Sequence, residues 1–88
     1  MSMEKRSEAD VRESLRGWVC RTSGKLSPGQ LRDDLPILEN RLITSLQVME
    51  LILYLEQLRG APVDVEKLRP GTFRDINAIY QSFFVSEN

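Results

Sequence analysis

Histidine is absent from the 88 residues, and cysteine occurs once, at Cys20. Without an imidazole no Ser-His or Cys-His pair can be assembled, and no Cys/His cluster offers zinc-ligand spacing. A single cysteine also rules out an internal disulfide. Neither sign of charge dominates, since 12 Lys+Arg stand against 13 Asp+Glu for a net charge of -1. That balance leaves no basic footprint for nucleic acid, and a helix-turn-helix reading would lack its basic recognition face. Long apolar runs are missing too. The longest, Leu51 to Leu55, is far below the roughly 20 residues that cross a bilayer. The start "MSMEKRSEAD" lacks the apolar core of a signal peptide. These absences lead to the expectation of a cytoplasmic protein with no membrane segment. At this length the chain is expected to be a single domain over residues 1–88, with a modest core and no room for a deep substrate cleft.

What is present is helical punctuation. Ser7 can cap a helix near residues 7–22, in which Val11, Leu15, Trp18 and Val19 share one face at 3.6 residues per turn and Gly24 provides the stop. Cys20 falls opposite that stripe and is expected to be a half-exposed thiol. From Gly24 to Ile43 there is no sustained periodicity, a stretch longer than the roughly 12 to 15 residues usual for a structureless loop. Ser27-Pro28-Gly29-Gln30 combines a capping serine, a proline at the first helical position and a reaching glutamine, which predicts one or two helical turns near Pro28 to Arg32. Leu26, Leu31, Leu35, Ile37, Leu38, Leu42 and Ile43 are available to tack the loop onto the bundle. Asp33, Asp34 and Glu39 lack the spacing of a calcium loop and are expected to be solvated.

Thr44 and Gln47 form a capping box ahead of a helix near residues 45–59, which Gly60 ends. Ala61-Pro62 breaks the chain, and a short turn fits between Val63 and Leu68. Thr72 with Asp75 predicts a helix near residues 72–84, carrying Phe73, Ile76, Ile79, Tyr80 and Phe83 on one side. Residues 1–6 and 85–88 are expected to fray. The fold class is therefore all-α: a bundle of three main helices plus a short helix, with a long first loop and no sheet.

The segment "LITSLQVMELILYLEQLRG" carries more apolar surface than one helix face requires. With Leu46 at 0° and about 100° per residue, Val48, Leu51, Ile52, Leu55 and Leu58 occupy about 120° to 240°, the core stripe, whereas Leu46, Met49 and Leu53 lie between about 300° and 0°. Either the long loop folds over this second stripe, or the stripe is a partner-facing patch interrupted by Glu50 and Gln57. Ser45 stands at its head. A serine at a helix start is ordinarily a local hydrogen-bonding residue, but Thr44 already offers the cap. The Ser45 hydroxyl has no general base nearby in sequence, so it is no self-activated nucleophile. The free N–H groups of a helix N-terminus do suit an attached phosphate, which makes Ser45 a candidate attachment site for a group added by another enzyme.

The stretch "DDLPILENRLITSLQVMELILYLEQLRGAPVDVEKLRPGTFRDINAIYQSFF" resembles the acyl carrier proteins, whose motif is Asp-Ser-Leu at the start of the second helix followed by an apolar-plus-Glu run. The matching residues are Ser45-Leu46, Glu50-Leu51, Leu55-Glu56, Gly60, and Thr72-Phe73 at the start of a last helix. Thr44 stands where the family has Asp, and Gln47 where an acidic residue is common. The resemblance implies an acyl-carrier-like bundle in which Ser45 receives 4'-phosphopantetheine from coenzyme A through a phosphopantetheinyl transferase. It also implies that the thiol of that arm carries cargo as a thioester, and that the chain is not itself an enzyme. The implied partners are an acyl- or aminoacyl-loading ligase or acyltransferase and condensing or tailoring enzymes, acting on a monomer. The expected partner-binding surface is Thr44, Leu46, Gln47, Met49, Glu50 and Leu53. Few acidic residues on the second helix point toward polyketide or nonribosomal peptide biosynthesis over fatty acid biosynthesis. The competing reading is a helical adaptor that uses the same stripe and carries no prosthetic group.

Overall fold

Residues 7–85 are described by a computed structural model, so the fraying expected at residues 1–6 and 86–88 lies outside the described residues. Ser7 is extended and its Oγ accepts from the Asp10 N–H at 3.1 Å, which starts helix α1, Glu8–Ser23. Gly24 ends α1 at φ 68°, a left-handed conformation in which its N–H donates to the Cys20 carbonyl at 2.9 Å. Val11, Leu15 and Val19 are buried, and half-buried Trp18 stacks on Tyr54 at 6.0 Å between ring centroids.

Cys20 departs from expectation, because it is buried and not half-exposed. A 3₁₀ turn at Pro28–Gln30 packs against α1. Cys20 joins one core cluster with Leu31, Leu42 and Ile43 of the loop, so the buried face of α1 is wider than a 3.6-residue stripe. Burial pushes the thiol pKa up, against the charge of Arg16, which further quiets its chemistry.

The long loop holds only that single 3₁₀ turn, shorter than predicted, yet it is part of the core. Leu31, Ile37, Leu42 and Ile43 are buried, Leu26 and Leu35 are half-buried, and Leu38 alone of the seven is exposed. Its backbone polar groups find partners beyond the loop as well as within it. The Ile37 N–H donates to the Arg74 carbonyl at 2.8 Å, the Asn77 N–H to the Asp33 carbonyl at 3.0 Å, and the Leu42 N–H to the Ile37 carbonyl at 2.9 Å. These bonds let about 20 residues without regular structure stay packed.

Helix α2, Ser45–Arg59, has the predicted bounds and ends at Gly60, φ 73°. It buries Leu51, Ile52 and Leu55, with Val48 and Leu58 half-buried beside them. The Glu56 carboxylate accepts from the Val63 N–H at 2.9 Å and fixes the chain leaving the helix. A second 3₁₀ turn, Val65–Lys67, lies inside the short turn expected at 63–68.

Helix α3 is Ile76–Phe84, so it opens after Asp75 and not after Thr72. Asp75 is the cap, its Oδ1 accepting from the Ala78 N–H at 2.7 Å. The buried Thr72 is committed elsewhere: its hydroxyl donates to the Arg69 carbonyl at 2.7 Å and accepts from the Arg69 N–H at 3.2 Å, closing the turn around Pro70-Gly71. Ile76, Ile79 and Phe83 are buried, and α3 packs against both α1 and α2. The fold is all-α, three helices with two 3₁₀ turns, and no strand occurs among the described residues. No helix among them is long and apolar enough to cross a membrane.

Candidate functional site

The head of α2 is built by two reciprocal hydrogen bonds. Thr44 is extended, its Oγ1 accepts from the Gln47 N–H at 3.2 Å, and the Gln47 Oε1 accepts from the Thr44 N–H at 2.9 Å. The capping box is therefore closed without Ser45, which is the first helical residue and is exposed. Leu42 and Ile43, buried just before Thr44, hold this point against the core. Upstream, Arg41 takes the left-handed region at φ 58°, and the Lys25 Nζ donates to its carbonyl at 3.0 Å. A non-glycine residue in this region costs about 1 kcal/mol, offset here by the packing that follows it.

The first turn of α2 carries no acidic side chain. Unsatisfied N–H groups and the positive end of the helix dipole thus meet no fixed negative charge on that turn, and an added phosphate would be favoured there. Ser45 has no histidine to activate it, since the chain contains none. Among the described residues no three Cys, Asp or Glu side chains converge to hold a metal ion.

The second apolar stripe is open to solvent. Leu46 is 81% exposed, and Met49 and Leu53 are each 60% exposed. The long loop does not cover them, because its own apolar side chains point into the core or, like Leu38, sit at the surface elsewhere. Glu50 and Gln57 are exposed, while Gln47 is half-buried by its part in the cap. Thr44, Ser45, Leu46, Gln47, Met49, Glu50 and Leu53 thus share one helix and its cap. At its far end the stripe runs into a shallow hollow of about 480 Å³ formed by Leu53, Gln57, Ala61 and Pro62.

Because Leu53 is exposed, Leu53→Asp should change stability by no more than about 0.5 kcal/mol in urea or thermal melts. The same charge placed at Leu51, which is fully buried, should cost several times that. A large loss at Leu53 would mean that the stripe is covered after all.

Two other features lie outside this stripe. A cleft of about 330 Å³ lies between the long loop and the approach to α3, walled by Pro36, Leu38, Glu39, Arg69, Phe73 and Arg74. Its cations are offset by Glu39 and by Asp75, whose Oδ2 lies 3.8 Å from the Arg74 Nε. Asp33 is the second. It is half-buried and paired with Arg16 at 2.6 Å and Arg12 at 2.8 Å, where solvation had been expected. Asp34 and Glu39 are exposed as expected, Asp34 meeting Arg32 at 3.0 Å. No sequence spacing signals the Asp33 cluster, because its partners lie 17 and 21 residues away.

Comparison of the chain with protein-family models, curated proteins and solved structures found no match.

Proposed function

We propose that this chain is a carrier protein that holds a thioester-bound acyl or aminoacyl intermediate on a 4'-phosphopantetheine arm attached to Ser45. The observation that carries the reading is an exposed serine, released from capping by Thr44, at the head of a helix whose exposed face is the Leu46/Met49/Leu53 stripe. Attachment requires the Ser45 Oγ to attack the phosphorus of coenzyme A that bears the pantetheine. A phosphodiester forms, the pyrophosphate P–O bond breaks and 3',5'-ADP leaves, while the transferase takes the hydroxyl proton, as the chain offers no base of its own. The chain's residues contribute position: a capped helix start fixed on Leu42 and Ile43, with free N–H groups beside the new phosphate.

In this reading Thr44, Leu46, Gln47, Met49, Glu50 and Leu53 meet the transferase, the loading ligase or acyltransferase, and the condensing or tailoring enzymes in turn. The stripe is three exposed side chains, a patch of about a few hundred Å² at most. A stable complex buries about 800 Å² on each partner. A patch this small fits brief, successive encounters of a monomer better than a permanent assembly. The absence of acidic side chains from the first turn of α2 favours a specialised pathway, of the polyketide or nonribosomal peptide kind, in the cytoplasm.

The adaptor reading rests on the same stripe without the serine. Incubation with coenzyme A and a broad-specificity phosphopantetheinyl transferase, followed by intact mass measurement, separates the two. A carrier gains one phosphopantetheine per chain, and an adaptor gains none.

A further inference from the structure

We propose that the charge of Asp33 latches the middle of the long loop onto α1 and α3, so that removing this one charge frees residues 32–35 while the three helices stay folded. The carboxylate accepts from the Arg16 Nη1 at 2.6 Å through Oδ1 and from the Arg12 Nη1 at 2.8 Å through Oδ2. Its backbone carbonyl accepts from the Asn77 N–H at 3.0 Å, in the first turn of α3. Arg12 closes the ring by donating to the Asn77 Oδ1 at 2.6 Å and lying 4.8 Å from the Tyr80 ring centroid. One loop residue therefore joins three segments.

The surrounding charges make the latch depend on Asp33. From α1 it faces Arg12 and Arg16, whose side chains are only 19% and 26% exposed. Glu8 binds Arg12 at 2.7 Å from the outer side and does not pair with Arg16. The neighbouring Arg32 and Asp34 are exposed and pair with each other, and α3 presents the uncharged Asn77 and Tyr80. Without Asp33, two partly covered guanidinium groups share one helix face with a single carboxylate between them. Opening is confined to the segment between Leu31 and Ile37, because both of those side chains are buried and anchor the loop on either side.

Burial alone would raise the Asp33 pKa, but the hydrogen bonds from Arg16 and then Arg12 outweigh it and hold the carboxyl below its usual range. With the folded value depressed, the stabilisation is complete above the unfolded value of about 3.9 and is lost as pH falls through the folded value. The latch is closed at neutral pH.

Amide hydrogen exchange of Asp33→Asn at pH 7 tests this. The Leu35 and Asn77 amides, which donate to the Arg32 and Asp33 carbonyls, should exchange about tenfold faster or more, the scale of one charge-assisted hydrogen bond. The Leu51 and Leu55 amides in α2 should keep wild-type protection. Unchanged exchange at Leu35 and Asn77, or equal acceleration at all four, overturns the proposal. Should the variant fail to fold, the wild-type chain decides. As pH is lowered from 7 until the Asp33 carboxyl carbon has titrated fully, the exchange protection of the Leu35 and Asn77 amides must fall with the same midpoint, and protection that outlasts the protonation of Asp33 overturns the latch.

Discussion

Ser45→Ala is expected to fold as the wild-type chain does and never to gain the phosphopantetheine mass. Folding should survive because the cap belongs to Thr44 and Gln47, whose two hydrogen bonds do not involve the Ser45 side chain. Alanine is also the best helix former, so the change in stability should stay within about 1 kcal/mol. Modification should vanish because the oxygen that would form the phosphodiester is gone. Intact mass after incubation with coenzyme A and the transferase, with a thermal melt on the same sample, reads both halves. If the alanine variant still gains the mass, the assignment of this chain as a carrier through Ser45 fails. If the wild-type chain gains nothing with any transferase, the carrier reading fails and the stripe on α2 belongs to an adaptor.

The second large effect is expected in the long loop. Ile37→Ala should cost about 2–5 kcal/mol, the range for truncating a fully buried large aliphatic residue. Domains of this size are held by about 5–15 kcal/mol in all, so the urea midpoint should fall markedly. Ile37 has 0% exposure, and its N–H is bonded to the Arg74 carbonyl. A cavity there would loosen the seam between the loop and the approach to α3. Leu38, next in sequence, is 37% exposed and serves as the control. Leu38→Ala should cost far less. Equal small effects at both positions would show that the loop rests on the helices without being part of the core.

The comparison between these neighbours shows what kind of information the sequence held. Both are large aliphatic residues in a segment without periodicity, and nothing in their order told which one was inside. The caps were different. Ser7 and Thr44 each accept from a backbone N–H three residues on, and Gln47 reaches back to Thr44, so these local residue types are enough to locate the starts of α1 and α2. The angular separation of Leu46, Met49 and Leu53 from the core stripe is likewise a property of helix geometry alone. Ser45 could be singled out for the same reason, since being the first residue after a complete cap is a local fact.

Tertiary structure made the remaining choices. Thr72 and Asp75 were both competent caps, and Asp75 took the role because the Thr72 hydroxyl is spent on Arg69 while Phe73 turns toward Phe83, 5.7 Å between ring centroids. Cys20 was drawn into a core that includes loop residues no periodicity described, and Asp33 found arginines far away in sequence. Whether the Leu46/Met49/Leu53 stripe stayed open was settled by where Leu31, Ile37, Leu42 and Ile43 went, which is into the core beneath the loop and not across α2. Where a single residue offers the cap, interactions that close within one helical turn are dictated by adjacent residues. Those between segments depend on which surfaces the folded backbone brings together, and only the packed chain contains that information.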